Sequence, residues 1–210
     1  MDYFSVTSSA SIFFPVLFGI YLLPNQPGLY RALVFFFLFG LITEISATIL
    51  LYGYHTNNLW VYNIYVLVEG VFWILIFNRW LNNKYAMLIK ILAALYAVVW
   101  FYFSLIAHSI FEYNNMILIV ECIILVPLSA YYLVELSRKT VKPIFQLPEF
   151  WFATGVLFYF SSTSMITATA FYQFNGVPMM RITWHLHSLF NIITNFIFVK
   201  AFLCSPRKLI

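Results

Sequence analysis

Charge is almost absent from long stretches of this sequence, and that constrains the fold more than any motif does. Of 210 residues, 63% are hydrophobic and 9% charged, whereas an ordinary soluble domain is about a quarter charged. A water-soluble fold this poor in charge would have almost nothing to cover its surface with. The apolar residues run instead in blocks long enough to cross a hydrocarbon core of roughly 30 Å, about 20 residues per helix. An all-α, polytopic membrane domain follows, covering residues 1–210 and leaving no room for a soluble domain.

Apolar blocks read against turn signals give seven spans, roughly 8–23, 30–52, 59–80, 85–107, 113–136, 148–172 and 182–204. The breaks are Pro24–Gly28, His55–Asn58, Asn82–Lys84, the region of Glu112, Ser137–Thr140 and Asn175–Pro178. No basic residue precedes the first apolar run, so no cleaved signal peptide is expected. Cys122 and Cys204 fall at different depths and are expected to form neither a disulfide nor part of a metal framework.

The basic residues orient the spans. Arg31, Arg79, Lys84, Lys90, Arg138, Lys139, Lys142, Lys200, Arg207 and Lys208 fall on one side, and Arg181 stands alone on the other. Basic residues are retained in the cytoplasm, so the N-terminus is expected outside and the C-terminus inside. An even span count would misplace the C-terminal cluster. Trp60 and Trp184 mark outer ends, and Trp80 and Trp151 mark inner ends. Lys90 and Lys200 are expected to snorkel to the headgroups. The net charge of +4 is thus a topology signal, with anionic lipid as its natural partner and no nucleic acid implied.

Spans one to three can also be laid on spans five to seven. Pro15 then matches Pro127, and Tyr65 and Glu69 fall opposite His187 and Asn191. This gives a parallel 3+1+3 repeat, a pattern found in some transporters, with span four as a lipid-facing linker. Coincidental alignment of apolar helices accounts for the same match.

Ionisable groups inside a membrane are costly and often mark function. Glu44, Glu69 and Glu121 lie well within spans, with no Lys or Arg at their depth. They are expected either to be protonated or to pair with His187 or a cationic ligand. Helical spacing lines up Gly40, Glu44, Thr48 and Tyr52 on span two, and Tyr62, Tyr65 and Glu69 on span three. Trp184, His187, Asn191, Thr194 and Asn195 share a face of span seven, and Ser162 sits among the hydroxyls of span six. The expectation is a polar pocket at mid-membrane, biased toward the outside and walled by spans two, three, six and seven. Its ligand-binding candidates are Glu44, Thr48, Tyr65, Glu69, Glu121, Ser162, His187, Asn191 and Asn195. Two of these sets have a plainer alternative. The span-six hydroxyls can bond their own backbone, and Asn191 and Asn195 can tie helices together. No metal or cofactor is expected; His185 and His187, two apart on a helix, point in different directions.

Several seven-span families fail on their motifs. Span three ends Asn78-Arg79-Trp80 without an acidic-Arg-aromatic triplet, and span seven has neither Asn-Pro-x-x-Tyr nor a central lysine. No Pro-Gln pair supports sugar transport, and no His-rich set supports an intramembrane hydrolase, so an enzyme is not expected. The segment Trp184-His-Leu-His-Ser-Leu-Phe-Asn-Ile-Ile-Thr-Asn195 is similar to the last helix of a group of small seven-span bacterial membrane proteins, some encoded beside sensor kinases. The resemblance covers that helix and the Thr43-Glu44 region. It implies a multi-pass protein of the bacterial inner (plasma) membrane and carries no activity over. The leading expectation is a ligand-responsive sensor, or an accessory subunit of a membrane signalling partner, that binds a small molecule. The alternatives are a small-solute or proton-linked transporter and a structural subunit of a membrane complex.

Overall fold

The long apolar blocks fold as helices, and no strand occurs among the described residues. The structure is a computed structural model and describes residues 3–141, 143–171 and 179–205. The helices are α1 (Tyr3–Ser11), α2 (Phe13–Leu22), α3 (Gly28–Thr48), α4 (Leu59–Trp80), α5 (Ala86–Phe101), α6 (Asn115–Lys139), α7 (Pro148–Phe171) and α8 (Met179–Cys204). The expected break at Asn175–Pro178, the end of the sixth span, and Lys142, Arg207 and Lys208 lie outside the described residues, as does the side chain of Arg181.

Among the described residues, five segments are long and apolar enough to cross a membrane: Gly28–Gly53, Leu59–Trp80, Ala86–Ala107, Asn115–Lys139 and Thr183–Cys204. They correspond to the second, third, fourth, fifth and seventh of the expected spans. The first expected span is a shorter apolar stretch, Val6–Leu22, interrupted at Ile12. Pro15 explains the interruption, because it has no N–H for the carbonyl four residues back. Pro127 also lies inside a helix, yet α6 runs on past it. The two prolines matched by the repeat therefore behave differently. In α7, Thr154, Ser161–Ser164 and Thr167 dilute the apolar character of the sixth expected span.

The chain divides into two compact units, residues 1–41 with 133–210, and residues 42–132, so α3 and α6 each contribute to both. In the first unit α8 packs against α1, α2 and α7. Phe37, Phe152, Phe198 and Phe202 form an aromatic core, with Phe37 and Phe198 centroids 4.8 Å apart and Phe152 and Phe202 centroids 5.1 Å apart. Gly155 lets α8 come close, since a Cβ there would sit 2.5 Å from the Phe198 ring. Lys200 reaches back to within 6.0 Å of the Trp151 ring, and the Trp151 indole donates to the Phe145 carbonyl at 2.8 Å.

In the second unit α4 packs on α5 around buried Trp73, Phe77, Tyr96 and Trp100. The α4–α5 hairpin turns through Asn82 and Asn83, at φ 54° and 57°, a left-handed conformation that asparagine tolerates better than most residues. Both α3 and α5 unwind at their ends into wider π turns, Ile49–Gly53 and Tyr102–Ala107. Asparagines collect the carbonyls near these ends. Asn58 donates to Ala47 O at 3.2 Å and Asn114 to Phe103 O at 3.0 Å. Asn63 donates to Ile110 O and Glu112 O at 2.6 and 2.9 Å.

Gly155→Ala is expected to destabilise the protein by about 1–3 kcal/mol through overpacking, read as a lower unfolding midpoint in detergent. Gly28→Ala is the matched control, since a Cβ there meets nothing within 4 Å, and its midpoint should hold or rise.

Candidate functional site

Glu69 lies midway along α4, and its side chain is buried. Glu121, on the second turn of α6, is more deeply enclosed, with 1% of its surface exposed. The two carboxyls are close enough to interact electrostatically, and the hydroxyl of Tyr96 on α5 lies close to both. Three helices thus bring two acids and a phenol together. Gly70 permits the arrangement, because a Cβ on it would lie 2.4 Å from the Tyr96 ring.

The hydrogen-bond inventory of this cluster is short on donors. Tyr65 donates to Glu69 Oε1 over a long 3.3 Å. The Tyr96 hydroxyl spends its one proton on the Val66 carbonyl at 2.9 Å. Both carboxyl oxygens of Glu121 are buried, and the side-chain partner within reach is that same Tyr96 hydroxyl, whose proton is already committed. No counter-charge is at hand either. Among the described residues of this unit the basic side chains are Arg79, Lys84 and Lys90, all exposed. Arg79 is ten residues further along α4, about 15 Å at 1.5 Å per residue. Two buried like charges with one long donor contact between them and no cation would each cost several kcal/mol. A neutral carboxyl escapes that cost and has a proton to offer the free lone pairs of Tyr96 or Glu69. The arrangement is chemically suited to hold a proton, or to exchange it for a small cation.

The other candidates in residues 42–132 lie outside this cluster's inventory. Glu44 is half-buried and accepts from Tyr62 Oη at 3.2 Å. Thr48 is exposed on α3.

The candidates in the first unit have different surroundings. Ser162 donates to Tyr159 O of its own helix at 2.7 Å, as Ser164 and Thr167 do to theirs. Asn191 donates to Ser8 Oγ at 2.9 Å, and Asn195 to Ser11 Oγ at 2.7 Å. One turn apart on α8, the two asparagines meet two serines three apart on α1 and tie the helices together. His187 lies between Trp184 and Tyr159, ring centroids 5.9 and 6.0 Å away. Its Nδ1 is buried and without a hydrogen-bond partner.

Tyr96, Ser8, Ser11 and Tyr159 are absent from the sequence-based candidates. Tyr96 sits on span four, expected to be a plain lipid-facing linker. That helix does expose Leu88, Leu95 and Val98, but Ile89, Ala93, Tyr96 and Trp100 form a buried stripe on it. Their spacing of four, three and four is the signal that finds Tyr96. Ser8 and Ser11 show the same helical spacing within a short polar run.

No known family, curated protein or solved structure matches the chain.

The orphaned carboxyl has a stability signature. A buried polar group left unpaired costs about 1–3 kcal/mol, so Glu121→Leu is expected to raise the unfolding midpoint in detergent. Asn195→Leu, which breaks a made hydrogen bond, is expected to lower it. A lower midpoint for Glu121→Leu would show the carboxyl to be a structural partner.

Proposed function

We propose that this chain is a cation-responsive sensor, or an accessory subunit of a membrane signalling system, in the bacterial inner membrane. The carrying observation is the buried Glu69–Glu121 pair with no Lys or Arg beside it among the described residues of its unit. A proton is the simplest occupant of such a pair. A change of occupancy changes the charge buried among α4, α5 and α6, and hence the packing they prefer. Pro127, six residues beyond Glu121, removes one backbone hydrogen bond of α6 and offers a place for the helix to bend.

The proposed topology has seven spans, the N-terminus outside and the C-terminus in the cytoplasm. The ten-to-one division of basic residues supports it. The apolar segment Val6–Leu22 and the 24-residue α7 would supply the two spans beyond the five long apolar helices. The hydroxyls of Ser162, Ser164 and Thr167 in α7 are compatible with a membrane span because they bond to carbonyls of their own helix.

A second reading is proton-linked transport. The mid-helix position of Glu69 favours it, because a carboxyl at that depth is reachable in principle from either face. The parallel 3+1+3 repeat belongs with this reading, although the compact units cut across its halves.

Trp73 and Trp100, one turn from Glu69 and Tyr96, are buried reporters of this region. Protein reconstituted in liposomes is expected to show a pH-dependent change in tryptophan fluorescence that Glu69→Gln and Glu121→Gln each abolish, without proton flux above empty vesicles. Flux that Glu69→Gln stops would favour transport. A wild-type protein with neither response nor flux would sink both readings.

A further inference from the structure

A second charged position stands apart from the carboxyl pair, at the start of α3. Pro24 and Pro27 end the preceding turn and start α3 at Gly28, which leaves the free amides and positive dipole end of that helix at its first turn. Arg31 lies in this turn, and the turn contains no acidic residue. The guanidinium is held in place by backbone. Its Nε donates to Gln26 O at 3.0 Å and its Nη2 to Pro24 O at 3.4 Å. A guanidinium has five donors, so three remain. Arg31 forms no ion pair among the described residues. Glu149 of α7 is engaged by the neighbouring Tyr30 at 2.5 Å.

Beside this exposed cation lies an open surface groove of about 290 Å³ lined by Leu23, Pro24, Arg31 and Phe35. Phe35 is one helical turn beyond Arg31 on the same face and is 58% exposed. The groove therefore runs from an uncompensated, oriented charge to an apolar wall about 6 Å further along α3. That is the order of parts in a phospholipid, phosphate first and acyl chain next. A free phosphate would leave the apolar wall unused. A zwitterionic headgroup would bring an ammonium into a turn with no acid to receive it.

The geometry points to a binding site for one anionic phospholipid, its phosphate on Arg31 and the α3 N-terminus, and an acyl chain along Leu23 and Phe35. The site requires only that α3 begins at a membrane interface, on either face, and is independent of the carboxyl pair.

Native mass spectrometry of the full chain in detergent tests this, with phosphatidylglycerol titrated against phosphatidylcholine. Wild-type protein should prefer phosphatidylglycerol, and Arg31→Gln should lose about tenfold in that affinity, the scale of one charge-assisted contact. Arg79→Gln, which removes an exposed charge elsewhere, should lose little. If Arg31→Gln does not fold, Phe35→Trp decides the matter, because it fills the groove with the guanidinium left in place and should weaken the lipid as strongly. An unchanged preference in Arg31→Gln, or in Phe35→Trp, overturns the site. So does an equal loss in Arg79→Gln, which means diffuse charge, or thermal stabilisation by inorganic phosphate equal to that by the lipid.

Discussion

In hydrocarbon no water stands ready to take a backbone N–H or C=O, so each must be satisfied within the protein. Much of the local detail here answers to that requirement. Where α3 and α5 loosen into π turns, Asn58 and Asn114 turn their amides onto nearby carbonyls. Where α7 carries a run of hydroxyls, those of Ser162, Ser164 and Thr167 return to their own helix. The side chains that read as polar features of the sequence are in large part attending to the main chain.

The same requirement shapes how the helices touch. Lipid tails are as apolar as leucine, so burial alone does little to drive one helix onto another. Close fit and shared hydrogen bonds take over. Gly70 and Gly155 each admit an aromatic ring where a methyl group would collide. On the α4 side, two main-chain carbonyls also receive a ring donor from α5, Val66 from Tyr96 and Asn63 from Trp100. Of the buried polar side chains left short of partners, Glu121 has both its carboxyl oxygens in that position.

The helices were legible because hydropathy and turn chemistry act locally. The third span, 59–80, matches Leu59–Trp80 to the residue, and four others agree within about three residues at each end. Intramembrane glutamates were legible for the same reason, since a charge in an apolar run stands out without any knowledge of its neighbours. Partnership was not legible. Asn195 meets Ser11 across 184 positions of sequence, and Glu69 meets Glu121 through a turn of packing set by Gly70 and Tyr96. Those encounters depend on helix rotation, which periodicity constrains only when one face is much more polar than the other. On α5 a single phenol among apolar neighbours left the buried face nearly indistinguishable from the lipid face.

The ties between α1 and α8 have a consequence in time. Ser8 and Ser11 leave the ribosome more than 180 residues before the asparagines that bond to them. At roughly 5–20 residues per second of synthesis, the interval is about 10–40 s. Throughout it α1 has no final partner in α8, so a helix made well before its partner is fixed only when that partner arrives.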